Sequence, residues 1–281
     1  MNDYEKTIRV HAGPEAVHSA LATTAGLSAW WTRATGTGRA GGELRFWFDH
    51  PEPLVMHVDQ VTAALVRWRV TDCAFLPEWV GTRPTFAIAE IDPERCEIQF
   101  RHHGLTPALE CIDMCTRGWN HFIPSLGRYL ETGAGNPHGS PADLARHEQQ
   151  AAESELRAFF AKMSAVDRGG ASADQFHDQF FSLDPSTANV VTREQLRAAL
   201  PMRARMFDSI GAAGTRLRDL DVTRLDALHV LAHTTWDVLF EDAGQEPLQL
   251  DSSYLLRRFD GDWRILVYLN HQDIEAKVLD R

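Results

Sequence analysis

The 281-residue chain has only four cysteines, Cys73, Cys96, Cys111 and Cys115. That is too few for a disulfide scaffold, and it fits a reducing, cytoplasmic setting. No CxxC pair is present. Cys111, Cys115 and His121 can be drawn as a zinc set, but their spacing is no zinc signature, so no metal site is expected. Long apolar runs are also missing, and no stretch reaches the ~18 residues of a membrane-spanning helix. The opening MNDYEKTIRV lacks a basic segment followed by an apolar one, so no secretory signal is expected. Cations are the minority charge: 28 Lys and Arg against 39 Asp and Glu, a formal net charge of −11. A chain this acidic is a poor nucleic-acid partner, because phosphate contacts need clustered cations. There is no GxGxxG after a strand, no Walker loop, no GxSxG elbow and no HExxH. The glycine-rich stretch from Gly36 to Gly42 leads into a strand rather than a helix, so it reads as a loop and not a phosphate cradle. No cofactor is expected.

Hydrophobic residues make up 44% and charged residues 24% of the chain, which is ordinary globular usage. The length predicts about two domains. The clearest break is Thr132-Gly133-Ala134-Gly135-Asn136-Pro137-His138-Gly139-Ser140-Pro141, too rich in glycine and proline to continue a helix or strand. It divides the chain into a first domain over 1–133, a linker over 134–141 and a second domain over 142–281.

The first part alternates over Lys6–His11, as a strand does. Two short helices follow, then five strand-like runs over Glu43–Asp49, Leu54–Val61, Leu65–Thr71, Thr85–Ile91 and Glu97–His102. A helix from about Cys111 to Glu131 carries Cys115, Trp119, Phe122, Leu126, Tyr129 and Leu130 on one face. A sheet with one apolar face needs a cover, and this helix supplies it. The second part opens with a helix over Ala142–Val166. Helices over Asp174–Leu183 and Arg193–Leu200 are predicted next, the latter capped by Thr192. Strands over Thr215–Asp221, Asp226–Phe240, Gln249–Phe259 and Asp262–Asn270 complete it, the last two joined by a tight turn at Asp260-Gly261. The predicted fold class is α+β throughout.

Five ordered blocks make the first part resemble the START-like (SRPBCC) superfamily, and within it the homologues of the activator of the heat-shock ATPase. They are Pro14–Leu21, Gly26–Thr32, Gly41–Phe46, His102–Leu105 and Gly118–Leu126 with Tyr129–Gly133. The resemblance implies a helix-grip fold, an antiparallel sheet under a long C-terminal helix with a hydrophobic cavity between them. The second part is similar to the nuclear-transport-factor-2-like superfamily, which includes SnoaL-like cyclases and ketosteroid isomerases. The similarity rests on its long first helix, the hairpin Tyr254–Ile265 and the ending Leu269–Asp273. It implies a cone-shaped α+β domain, and a fold shared by enzymes and binding modules does not settle a function.

Six of the eight tryptophans lie before residue 120. This density marks the first domain as the site of an aromatic-lined pocket, for which a plain aromatic core is the rival reading. The candidate ligand-binding residues are Trp30, Trp31, Phe46, Phe48, His57, Trp68, Phe86, His102, Trp119 and Phe122. In the second domain Asp184, Trp236, Tyr254 and Trp263 are candidates for a further pocket. On the strand 226–240 the apolar alternate residues should face inward, leaving His229, His233 and Asp237 on the outer face. An isomerase-like scheme needs a carboxylate base and separate oxyanion donors, and no spacing here requires one, so no catalytic residue is assigned. The leading expectation is a protein that binds a small hydrophobic molecule in the first domain. The alternatives are a cyclase, isomerase or hydrolase acting on a polyketide-like or carbonyl substrate, and an interaction module that dimerises through the second domain. Neither nucleic acid nor membrane is an expected partner.

Overall fold

The computed structural model describes residues 3–165, 173–242 and 244–273. It divides into two compact units, Met1–Arg146 and His147–Arg281.

In the first unit the elements run β1 (Tyr4–Val10), α1 (Pro14–Ala22), α2 (Thr24–Trp30), β2 (Arg33–Gly36), β3 (Glu43–Trp47), β4 (Leu54–Thr62), β5 (Leu65–Asp72), β6 (Arg83–Asp92), β7 (Arg95–His103) and α3 (Ile112–Thr132). The seven strands form one antiparallel sheet in the order β1-β7-β6-β5-β4-β3-β2. Side chains alternate across a strand, so β5 buries Val66, Trp68 and Val70 on one face and β4 buries Leu54, Met56 and Val58. Phe86 and Phe100 lie opposite each other on β6 and β7, with ring centroids 4.8 Å apart. Onto this face α3 presses Cys115, Trp119, Phe122, Ile123 and Leu126. Burying each such large apolar side chain contributes ~1.5–3 kcal/mol, so the grip of α3 adds substantially to the cohesion of the unit. The helix ends at Gly133, which sits at φ +76°, a left-handed cap that costs glycine little.

The segment 134–141, expected as a linker, is bonded into the first unit. The backbone N–H of Asn136 donates to Ser125 Oγ (2.6 Å), and that hydroxyl donates to the Trp30 carbonyl (2.7 Å). The N–H of His138 donates to the Trp31 carbonyl (2.7 Å). Gly135 lies so close to Trp30 that a Cβ there would stand 2.8 Å from its Cα. Asp143 is fully buried and takes a hydrogen bond from the Gly139 N–H, with Arg146 at 2.7 Å and His138 at 3.2 Å. The composition of the segment rules out a helix or strand but does not make it loose. It is held by specific backbone bonds.

The helix α4 (Pro141–Ala165) contains the division between the units. The second unit continues with β8 (Phe176–Leu183), β9 (Ala188–Thr192), α5 (Arg193–Ser209), β10 (Ala212–Arg224), β11 (His229–Phe240), β12 (Leu248–Phe259) and β13 (Asp262–Asn270). Its six strands run in the order β10-β11-β12-β13-β8-β9, antiparallel except for the β13–β8 pair. The expected helix over Asp174–Leu183 is therefore corrected. It is a short 3-10 turn followed by strand β8, and β9 went unpredicted. Helix α5 also runs on through Pro201, nine residues past its expected end at Leu200. Its start is as expected: Thr192 Oγ1 accepts from the Gln195 N–H, and the Gln195 side chain accepts from the Thr192 N–H, a reciprocal capping box. Asp260 and Gly261 take φ +49° and +92° in the tight turn between β12 and β13. Both units are α+β, built on large antiparallel sheets with few helices, and among the described residues no helix is long and apolar enough to cross a membrane.

Candidate functional site

A cavity of about 160 Å³ opens in the first unit between α3, the β5–β6 connection and the end of β3. Trp31, Phe48, Trp119 and Phe122 line it, together with Leu54, Phe75, Leu76, Trp79, Met114, Cys115 and Gly118. Its walls are rings held in place by other rings. Trp31 stacks on Trp30 and on Trp68, each with centroids 5.9 Å apart, and meets Phe46 at 4.3 Å and Trp119 at 5.1 Å. Trp79 lies parallel to Trp119, 6.1 Å away.

The indole N–H groups of Trp79 and Trp119 are tied off behind the wall. The Trp119 indole N–H donates to His102 Nδ1 (2.9 Å), which leaves the proton on Nε2. That nitrogen sits 2.9 Å from Thr82 Oγ1, and the Thr82 hydroxyl donates to the Trp79 carbonyl (2.6 Å). The Trp79 indole donates to Cys115 Sγ (3.1 Å). Burial pushes the His102 pKa down to about 3, so the ring is neutral at ordinary pH and both its nitrogens are committed. Burial likewise pushes the Cys115 thiol up to about 12, so it stays protonated. The lining thus presents apolar surface and no working acid or base.

The sequence-predicted residues separate into three groups. Trp31, Phe48, Trp119 and Phe122 reach the cavity. Trp30, Phe46, Trp68 and Phe86 are fully buried behind it and support Trp31, and the Trp68 indole N–H has no partner among the described residues. His102 is a positioning residue for Trp119. His57 stands on the opposite face of β4 from the buried Met56 and Val58, 38% exposed and 4.0 Å from Asp59. Met114 and Gly118 were missed. Each precedes by one residue a member of the apolar face already read in α3, and that adjacency was the available signal. Phe75 and Leu76 lie between strands, where periodicity gives no signal.

A second cavity of about 580 Å³ lies in the second unit. The turn between β8 and β9 (Asp184, Ser186, Thr187), α5 (Met202, Arg203, Met206) and the end of β13 with the residues after it (Asn270, Gln272, Asp273) line it. Of the four residues expected there only Asp184 does. Its carboxylate accepts the N–H groups of Ser186 and Thr187 and the Thr187 hydroxyl, all at 2.7 Å, and these bonds hold its pKa below the usual carboxylate range. It closes a turn. Trp236 and Tyr254 are core residues, and the Tyr254 ring stacks on Tyr268 at 5.3 Å. Burial raises the Tyr254 hydroxyl pKa further from neutrality. Trp263 donates its indole N–H to Glu155 (3.0 Å) beneath the Arg258 guanidinium. On β11, His229 pairs with Asp226 and exposed His233 bonds Ser253, as an outer face allows. Asp237, expected on that face, is 1% exposed because Arg216 and Arg218 lie over it.

The fold described here comprises two α+β units, each with its own cavity. Residues 149–273, in the second unit, match the family model described as NTF2-like protein (DUF6841). The solved structures similar to the chain include the Aha1 dimer from Colwellia psychrerythraea, at 26% identity over 48% of this chain and 100% of that one, TM-score 0.43. They also include an HSP90 activator from Plasmodium falciparum, at 14% identity over 45% and 94%, TM-score 0.39. A putative ketosteroid isomerase from Parabacteroides distasonis matches at 15% identity over 43% and 87%, TM-score 0.34. No curated protein matches the chain.

Proposed function

We propose that the first unit binds a small apolar or aromatic molecule in the cavity under α3. The observation that carries this reading is the wall itself, in which the indole N–H groups of Trp79 and Trp119 are already satisfied behind the surface. Such a pocket gains nothing from water and takes apolar surface readily. At about 160 Å³ it matches the size of an engineered 150 Å³ cavity that stays dry and holds benzene. A single-ring ligand is the natural occupant. The reading as a binding site rather than a catalytic one is supported by His102, neutral and bonded at both nitrogens behind the wall, and by the protonated Cys115 in the lining.

The test uses Gly118. A Cβ at this position would meet nothing within 4 Å, and the residue lines the cavity. Replacing a helical glycine with leucine should itself stabilise α3 by up to ~1 kcal/mol. Gly118→Leu is therefore expected to raise Tm while abolishing the thermal shift that benzene or indole gives the unaltered protein. A stabilised Gly118→Leu protein that still responds to benzene would place the ligand elsewhere.

A further inference from the structure

Among the described residues the two fully buried carboxylates are paired with arginines. Asp143 has Arg146, and Asp237 has Arg216 and Arg218. Arg203, on α5, has no carboxylate partner among the described residues. The residue as a whole is half-buried, yet its Nε is shielded from solvent and has no hydrogen-bond partner among the described residues. An arginine cannot shed its proton to escape the cost of burial. Leaving a shielded donor unpaired is destabilising, and more so for a charged group. The neighbouring Tyr268 and Tyr254 hydroxyls partly offset this cost, and the Phe207 ring lies 5.7 Å from the guanidinium.

This unpaired cation sits in the wall of the second cavity. Beside it Met202 and Met206 give an apolar wall one turn of α5 long, and Asn270 and Gln272 offer amides. Asp184 and Asp273 stand on the same rim and disfavour a ligand with more than one negative charge. We propose that this cavity binds an organic monocarboxylate, its two oxygens on the Arg203 guanidinium and its apolar body against Met202 and Met206. A guanidinium matches a carboxylate through two parallel N–H···O bonds. The occupant supplies the carboxylate partner that the guanidinium lacks.

The experiment titrates the full chain with benzoate, with methyl benzoate as the uncharged control and inorganic phosphate as the multiply charged one. It is run in the Gly118→Leu background so that the first cavity does not contribute. Benzoate is expected to bind with millimolar or tighter affinity, which corresponds to about 4 kcal/mol or more. Methyl benzoate and phosphate should bind at least about tenfold more weakly. Arg203→Met should weaken benzoate by at least about tenfold, and Arg203→Lys less, because lysine keeps the charge without the fork. Should Arg203→Met fail to fold, Ala199→Phe narrows the cavity from an exposed helix position and should weaken benzoate similarly. Benzoate affinity indifferent to both changes overturns the proposal. So does phosphate binding as tightly as benzoate, or no benzoate binding at about 10 mM, well above millimolar affinity.

Discussion

The two cavities answer the same question in opposite ways. In the first unit the lining indoles of Trp79 and Trp119 are hydrogen-bonded from behind, and a ligand meets apolar surface. In the second, a cation stands in the wall with an unanswered donor. The difference lies in what lines each place: hydrogen-bonded indoles behind apolar surface in the first, and a guanidinium without a carboxylate partner in the second. A satisfied wall selects by shape and apolar area, whereas an unsatisfied one selects by charge and hydrogen-bond geometry. The same fold-level description, a cavity between helices and a sheet, therefore covers two distinct recognition chemistries.

The comparison can be broken most forcefully at Trp119. Trp119→Ala removes a fully buried ring and leaves His102 Nδ1 without its donor, so urea unfolding should show a loss of ~3–5 kcal/mol. A loss below ~1 kcal/mol would mean that α3 does not grip the sheet through this residue.

His102 gives a smaller and more specific effect. Its folded pKa of about 3 lies below the ordinary 6.5, so the unfolded chain takes up a proton that the folded one refuses. The stability it contributes is complete above pH 6.5 and is lost as pH falls from there towards 3, at ~1.4 kcal/mol per pH unit inside that window. His102→Gln keeps a neutral amide in place of the ring. Subtracting its stability-against-pH curve from that of the unaltered protein should isolate this slope, and coincident curves would contradict a buried neutral His102.

At the small end is His57, on the other face of the sheet. His57→Ala should change stability by no more than ~0.5 kcal/mol and leave the benzene response intact. A lost response would draw the first cavity's boundary through β4 and blur the contrast between its two faces.

Periodicity carried the reading of the first unit because its strands bury one face and alternate cleanly, as Leu44 and Phe46 or Val66, Trp68 and Val70 do. It misled at β8. Phe176 and Phe180 are four residues apart, a spacing that lies on one face of a helix and equally on one face of a strand. Only pairing with β13 and β9 decides between them, and that pairing is non-local. The third helix was expected to end at Leu200, yet α5 absorbs the one N–H lost at Pro201 and continues. The role of His102 was out of reach for a related reason. Composition flags a histidine among aromatics, but its two partners lie 17 and 20 residues away, and their bonds turn a presumed ligand contact into a brace. Arg203 carried no local signal, because an arginine on an amphipathic helix reads as solvated until the turn at Asp184 and the end of β13 close around it.

The segment 134–141 bears on how the molecule is to be dissected. On paper it is the obvious place for scissors. Yet the His138 ring lies 5.2 Å from Phe48, a cavity-wall residue, and its backbone fastens Trp31. A fragment trimmed at Gly133 would arrive with its seam unpicked, and an empty binding assay on it would report the tailoring and not the protein. A fragment carried through Arg146 keeps the hem sewn.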